Sequence, residues 1–531
     1  MEILIFLLIS YVLLSVSLFL LFPKAGVEGW KGLVPGLNFV AWCELIGRKP
    51  TYALLLLIPI VNIFIYVGMC IDLARSFGKY ELWHSALALI YAPALFFLIA
   101  QNKEDKYLGK SVAMEAEYME KIEEAKAANK TRTLKKLTQN NPYQKSAFRE
   151  WLEAIVFAVF AAAFIRMFLI EAYTIPTSSM EGSLMVGDFL FVSKANYGIR
   201  TPKTILMVPL LHNRVPGLGS ESYIEQPDLP YYRLPALEEI DRNEAVVFNF
   251  PEGDSVYIRP ERTFSINDMR RNPQLAQQLR KEKLVTRPLD KKDHYIKRCI
   301  GLPGDSIQIV NKQVYVNGEA AQNPTNIQFT YIISSPSGAV NTNKFTEWGI
   351  TLHEDVRGRT DEGLVTILNE EQKQKIQAMD PTIQIEYFDI TRYNSNPLSL
   401  FPSDPDNNYG WTIDNFGPIY IPKAGETVTL DEKSIAFYRR VISNYEGNEL
   451  IENADGSFTI NGEKTTTYTF QQDYYWMMGD NRHNSEDSRV WGYAPADHVV
   501  GKPLFIWFST KEGSLFKGIN WDRLFKSANK M

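Results

Sequence analysis

The sequence predicts a membrane-anchored protein in which N-terminal transmembrane α-helices precede a mainly-β domain. Two observations carry this. Up to Ile170 the chain holds four apolar stretches of the length needed to cross a bilayer, about 20 mostly apolar residues each. Beyond Tyr173 these give way to short β-branched and aromatic runs punctuated by turn dipeptides. A third observation sets the boundary, because a lysine- and arginine-rich segment separates the third apolar stretch from the fourth. At 531 residues and 22% charged, the chain is too long for one small domain, and its net charge of -5 provides no basic field for nucleic acid.

Ile3 to Phe22 carries no internal charge and is followed by Phe22-Pro-Lys rather than a small-residue cleavage site, so it reads as a retained anchor. Tyr52 to Ile71 and Trp83 to Ala100 are the next two spans, each with one proline. Gly32 to Ile46 is shorter and broken by Pro35, Asn38 and Glu44, which suits an interfacial or re-entrant segment. Together these make residues 1–101 a multi-span membrane region. Residues 102–150 form a charged linker of helical composition, and the eleven lysines and arginines between Gln101 and Glu150 assign it to the cytoplasm. Trp151 to Ile170, within a 151–172 helix segment, then carries everything from Tyr173 onward to the far side. Counting back, the N-terminus lies outside and Lys24, Lys31, Arg48 and Lys49 inside, with Arg75 and Lys79 as exceptions.

In the C-terminal part, Phe189–Val192, Ala245–Phe250, Ser306–Val310, Val314–Val316 and Phe458–Ile460 read as strands. Asn317-Gly318, Asp455-Gly456 and Asn461-Gly462 are hairpin signals, since these residues tolerate the positive φ of tight turns. Cys299 is the one cysteine of this part, so it has no internal disulfide partner. The stretch Asp404 to Asn415 fails as a calcium loop because its glycine comes one place late and its twelfth residue is not glutamate. With no HExxH and no paired CxxC, neither a metal nor another cofactor is expected.

Four short stretches carry the chemistry: Ile175–Met180 (IPTSSM), Gly187–Lys194 (GDFLFVSK), Tyr295–Asp305 (YIKRCIGLPGD) and Gly479–Arg489 (GDNRHNSEDSR). Amide hydrolysis needs a nucleophile, a base that later protonates the leaving amine, and donors for the oxyanion. A lysine serves as base only when burial lowers its pKa from about 10.4, and Tyr295, Ile296 and Ile300 give Lys297 an apolar strand context. In order, spacing and wording these stretches resemble the bacterial type I signal peptidases, serine proteases with a Ser-Lys dyad. The likeness covers roughly residues 151–310 and 475–510.

The resemblance implies a signal-peptidase-like β fold on the extracytoplasmic side of the cytoplasmic membrane. Its catalytic domain would comprise residues 173–310 and 474–531, split by a large β-rich insertion at 311–473. It implies Ser179 as nucleophile and Lys297 as general base, with Thr177 and the backbone N–H of Ser179 lining the oxyanion hole. Ser485 would orient the lysine amine, and Asp487 and Arg489 would form a supporting salt bridge. Arg298 and Asp305 are structural, as an ion pair or turn cap. Tyr173, Ile175, Pro176, Met180, Leu184, Leu190, Tyr295 and Ile296 would line shallow pockets that admit only small side chains. The substrates implied are the signal peptides of exported preproteins, cut after Ala-x-Ala sites beside the lipid bilayer. Ser178, Gly182 and Ser183 depart from the family wording, which has glycine, proline and threonine there. Two rival readings are a Ser-His-Asp hydrolase using His294 or His483 with Asp487, and a membrane scaffold retaining a degenerate peptidase domain.

Overall fold

The computed structural model describes the chain except residues 1, 59–60, 145, 205, 216–217, 219, 227, 260–262, 337–339, 353, 390–396 and 530–531. Two compact units divide it, one up to Val159 and one from Phe160.

The first unit is helical: α1 (Glu2–Leu21), α2 (Leu37–Ile46), α3 (Val61–Ser76), α4 (Leu82–Gln101), α5 (Ser111–Ala127), α6 (Thr131–Gln139) and the start of α7 (Ala147–Phe168). Its core gathers Leu18, Phe22, Trp42, Cys70, Leu73, Phe96 and Ile99. Among the described residues, three segments are long and apolar enough to cross a membrane: Leu8–Ala25, Leu82–Gln101 and Ala147–Phe168. The expected span Tyr52–Ile71 is not among them. It breaks into a 3-10 turn, Pro50–Leu57, and the separate 16-residue α3; Pro59 and Ile60 between them lie outside the described residues. Proline lacks the N–H that an unbroken helix needs, and Pro50 is tolerated as the first residue of its turn.

Charged contacts gather the ends of these helices. The Lys24 amine, just past α1, donates to Ile99 O and Asn102 O at the end of α4. Lys79 before α4 pairs with Asp105 after it at 2.9 Å, and Arg75 pairs with Glu115 at 3.5 Å. α4 is bent in the middle, where Tyr91 leaves helical geometry (φ -156°, ψ 82°) two residues before Pro93.

The second unit is mainly β. Its principal sheet is antiparallel, with strands in the order Ile170–Thr174, Asp188–Ser193, Val499–Ser509, Ala245–Asn249, His294–Gly301, Tyr474–Met478 and Ala494–Pro495. Chain ends thus meet in its middle, because Val499–Ser509 pairs with both Asp188–Ser193 and Ala245–Asn249. Alternation puts successive side chains on opposite faces. One face buries Ile175, Met180, Leu184, Leu190, Val247 and Ile506; another cluster gathers Val246, Phe248, Cys299, Met477 and Trp491.

Beyond Val310, one four-stranded sheet joins Ser306–Val310, Gln313–Val316 and Glu319–Ala320 to the distant Phe416–Tyr420. A second contains Val356–Thr360, Gly363–Leu368, Phe329–Ser334 and Gln384–Tyr387, with its own core of Tyr331, Ile333, Phe345, Leu368 and Ile376. The Asn-Gly hairpins form where the sequence signals them: Asn317 and Gly318 adopt φ 54° and 84°, Asn461 and Gly462 φ 50° and 86°.

Candidate active site

Register assembles the site. Tyr474–Met478 pairs with His294–Gly301 so that Met478 stands opposite Arg298, and the turn that begins at Gly479 therefore starts beside Lys297. Ser179 sits on a 3-10 turn, Ser178–Met180, in the connection between Ile170–Thr174 and Asp188–Ser193. The Lys297 amine and the Ser179 hydroxyl are hydrogen-bonded at 2.7 Å, and the amine also donates to Ile296 O at 3.1 Å.

Lys297 is 4% exposed. Burial drives its pKa down to about 8, against the weaker opposing pull of Asp487, Glu486 and Asp480. Asp487 and Asp480 are committed elsewhere. Asp487 binds Arg489 through Nε at 2.9 Å and Nη2 at 2.8 Å and accepts from Gly479 N. Arg489 and the bonds around it hold that carboxyl below its ordinary range despite burial. Asp480 binds Arg298 through Nε at 2.7 Å and Nη2 at 2.5 Å. The lysine faces the Ser179 hydroxyl, and among the described residues no carboxylate forms an ion pair with it. As an ammonium it donates to Ser179 Oγ; once neutral, its lone pair can take the serine proton.

Several expected positions fall differently. The Ser485 hydroxyl is buried, but among the described residues no hydrogen bond joins it to Lys297. It lies instead against Gly479, where an added Cβ would come within 2.3 Å of Ser485 Oγ and 2.4 Å of Ser179 O. Only a residue without a side chain lets the nucleophile's backbone approach the turn this closely. Arg298 and Asp305 do not pair with each other: Arg298 takes Asp480, while Asp305 takes Arg242 at 2.8 Å and caps its own turn by accepting from Leu302 N. Of the apolar set, Ile175, Met180, Leu184 and Leu190 pack together, with Tyr173 and Ile296 against them. Pro176 is exposed. Tyr295, one strand position from Ile296, belongs to the other cluster. Its ring stacks on Phe250 at 4.5 Å and lies 5.5 Å from the Lys297 amine, so it borders the lysine rather than the apolar set. Thr177 is exposed and makes no side-chain bond among the described residues.

The two candidate histidines make other contacts. His483 bonds Asp414 at 3.0 Å and accepts from Thr330 N, while His294 packs against the rings of Tyr173 and His212. Among the described residues no group of three His, Cys, Asp or Glu could hold a metal ion.

Sequence reasoning missed the clamp around the nucleophile. Asn481 donates from Nδ2 to Ser178 O and from its backbone to Ser179 O, both at 3.2 Å, and Asn484 Nδ2 donates to Ser178 Oγ at 2.7 Å. Ser178 thus gains a partner that glycine could not supply. Ser183 donates to Asp480 at 2.6 Å, so the hydroxyl at this departure from the family wording is used. Gly182 adopts φ 95°, with its missing Cβ facing Asn326 O at 2.3 Å, which accounts for a glycine there. Both asparagines stand inside the GDNRHNSEDSR stretch, where a polar turn was legible but its target, some 300 residues upstream, was not.

Comparison with known proteins agrees with this geometry. Residues 148–349 and 420–508 match the model of a family described as signal peptidase, peptidase S26, and residues 30–110 match a family of unknown function, DUF5684. Among curated proteins the chain is similar to "Signal peptidase I" of Helicobacter pylori, 24% identical over 391 residues, covering 71% of this chain and 90% of that one. It is likewise similar to "Signal peptidase I" of Buchnera aphidicola subsp. Baizongia pistaciae (23% over 364 residues, 68% and 77%) and of Haemophilus influenzae (24% over 384 residues, 71% and 74%). The family and these relatives are those of a serine endopeptidase. Within that class the chain belongs to the signal peptidase family, peptidase S26, whose model matches more than half of its length.

Proposed function

We propose that this protein is a membrane-bound type I signal peptidase that removes N-terminal signal peptides from exported preproteins after small residues, with Ser179 as nucleophile and Lys297 as general base. The observation that carries the reading is the buried Lys297 amine, 2.7 Å from Ser179 Oγ and, among the described residues, without a carboxylate in ion-pair contact. Neutral Lys297 accepts the serine proton as Oγ attacks the scissile carbonyl, then returns it to the leaving amine as the acyl-enzyme forms. Asn481 holds the carbonyl of Ser178, which fixes the peptide plane carrying the Ser179 N–H. That N–H and the free hydroxyl of Thr177 are the proposed oxyanion donors. Ile175, Met180, Leu184 and Leu190 occupy the space beside the dyad, which favours alanine-sized substrate side chains. Against a Ser-His-Asp mechanism, among the described residues the Ser179 hydroxyl is hydrogen-bonded to Lys297 and not to His294 or His483. The test is cleavage by the purified protein of a preprotein carrying an Ala-x-Ala site; a cut elsewhere, or none with the wild type, would sink the reading.

Replacing Thr177 by valine keeps the shape and removes one oxyanion donor, so turnover should fall by on the order of 10²–10³ with KM little changed. Thr177→Ser should stay active. Equal turnover for valine and threonine would assign the oxyanion to backbone donors alone.

The proposed topology places α1 and α7 across the bilayer, the N-terminus and residues after Tyr173 outside, and both ends of α4 with the linker before α7 on the cytoplasmic side. The contacts of Lys24, Arg75 and Lys79 support this, because each reaches the chain at or after the end of α4. Arg75 and Lys79 then cease to be exceptions to the cationic-inside bias. The bend at Tyr91 suits a helix that dips into the bilayer and returns. Glu81→Cys should accordingly react with an impermeant maleimide added from the cytoplasmic side; labelling only from outside contradicts it. The proposed organisation remains a membrane region to 101, a linker to 150, the helix 151–172, and a catalytic domain of 173–310 and 474–531 with an insertion at 311–473. The separate core around Tyr331 and Phe345, and a family match that skips residues 350–419, support the insertion.

A further inference from the structure

Behind the turn that carries Asp480 and Asn481 lies a cavity of about 260 Å³, lined by Arg482, Arg242, Asn243 and Glu319 and by the apolar side chains of Ile300, Val314 and Val316. Arg482 is 2% exposed, yet among the described residues it forms no ion pair, and its one side-chain hydrogen bond is from Nε to Gly479 O at 3.1 Å. Charge around it does not balance. Arg298 takes Asp480 and Arg489 takes Asp487, each through two nitrogens, so three buried arginines face two aspartates and Arg482 is the one left over. Arg242 on the cavity wall is already bound to Asp305. Burial and the neighbouring guanidinium of Arg489 push the pKa of Arg482 down to about 10, the response of a cation whose compensation is incomplete. An uncompensated buried charge is costly, and a planar guanidinium with two free Nη groups matches a carboxylate in a bidentate fork.

We infer that this cavity binds a small carboxylate on a short apolar stem, the anion on the guanidinium of Arg482 and the stem against Ile300, Val314 and Val316. The size and the apolar floor disfavour a bare inorganic anion, which would leave that floor uncovered. Such a ligand would sit behind the active-site turn rather than on the dyad, touching it through Gly479 O, the acceptor that Arg482 already holds. The rival occupant is internal: Glu319, exposed at the rim, could swing in as counter-ion.

The test is calorimetric titration of the purified full chain with hexanoate, with hexanol as the neutral control. Saturable binding of hexanoate by the wild type and by Glu319→Gln is expected, at least tenfold weaker in Arg482→Gln and in Ala321→Trp, whose indole takes up cavity space while Arg482 itself is kept. Two variants are needed because Arg482 also anchors the turn. A free small acid and a peptide C-terminus share this chemistry. Competition by Ala-Ala-Ala but not by its amide identifies the peptide source, and absence of competition identifies the free acid. Binding that is unchanged in both variants, matched by hexanol, or seen only in Glu319→Gln would overturn the inference.

Discussion

Ser179→Ala and Lys297→Ala should each reduce peptide cleavage to background, a loss on the order of 10⁴–10⁶, while the protein still folds and inserts. The two groups act as one unit across a 2.7 Å hydrogen bond, so removing either leaves the other without a function. The double variant should therefore be no worse than either single one, which distinguishes a dyad from two independent contributors. Lys297→Arg should be equally inactive, because a guanidinium cannot give up its proton near neutral pH. Lys297→His supplies a base that is neutral at pH 7, but its shorter, planar ring does not reach the position of Nζ, so little rescue is expected. Substantial turnover in either alanine variant, measured on a preprotein under single-turnover conditions, would remove that residue from the mechanism.

The second large effect is on stability. Asp480 is fully buried and Arg298 is 3% exposed; they are joined by two nitrogen–oxygen bonds, and Ser183 donates to the same carboxylate. Asp480→Ala leaves the Arg298 charge buried without its partner, and such a break costs about 3–5 kcal/mol. It also frees the turn that clamps Ser178 and Ser179 through Asn481, so activity should fall with stability. Asp480→Asn keeps the shape and some hydrogen bonds and should lose less. Removing the charge pair together, as Arg298→Met with Asp480→Leu, should recover part of the loss relative to Asp480→Ala, because no lone charge then remains inside. Denaturant midpoints of the four proteins measure this; an Asp480→Ala midpoint equal to wild type would show that the buried pair does not hold the turn.

What local pattern encodes was legible, and what distant pairing encodes was not. Ser306–Val310 and Phe458–Ile460 form strands at the predicted residues because β-branched runs and Asn-Gly turns act over a few neighbours. The apolar stretches at α1, α4 and α7 were equally plain. Tyr52–Ile71 misled because composition counts apolar residues without asking whether the backbone stays helical, and Ile58 after the 3-10 turn is extended. In the site, motif wording picked out Ser179 and Lys297, whose side chains lie 2.7 Å apart. It did not carry the partner of Arg298, 182 residues away, or of Ser178, 306 residues away, since side-chain pairs at that separation leave no periodic trace. Tyr295 shows a subtler limit: a strand lists Tyr295 and Ile296 side by side while the pleat sends them to different clusters.

The central claim is that a neutral, buried Lys297 takes the proton of Ser179, and the pH dependence of kcat/KM for a preprotein tests it most directly. The free enzyme's lysine carries a pKa lowered to about 8 by burial. Its protonated form is inactive, so the rate should rise with pH through a single limb near 8 and level off above it. A limb near 10.4, where an exposed lysine titrates, would contradict the lowered pKa, and a rate that falls as pH passes through 8 would mean that the working form is the ammonium and that the base lies elsewhere.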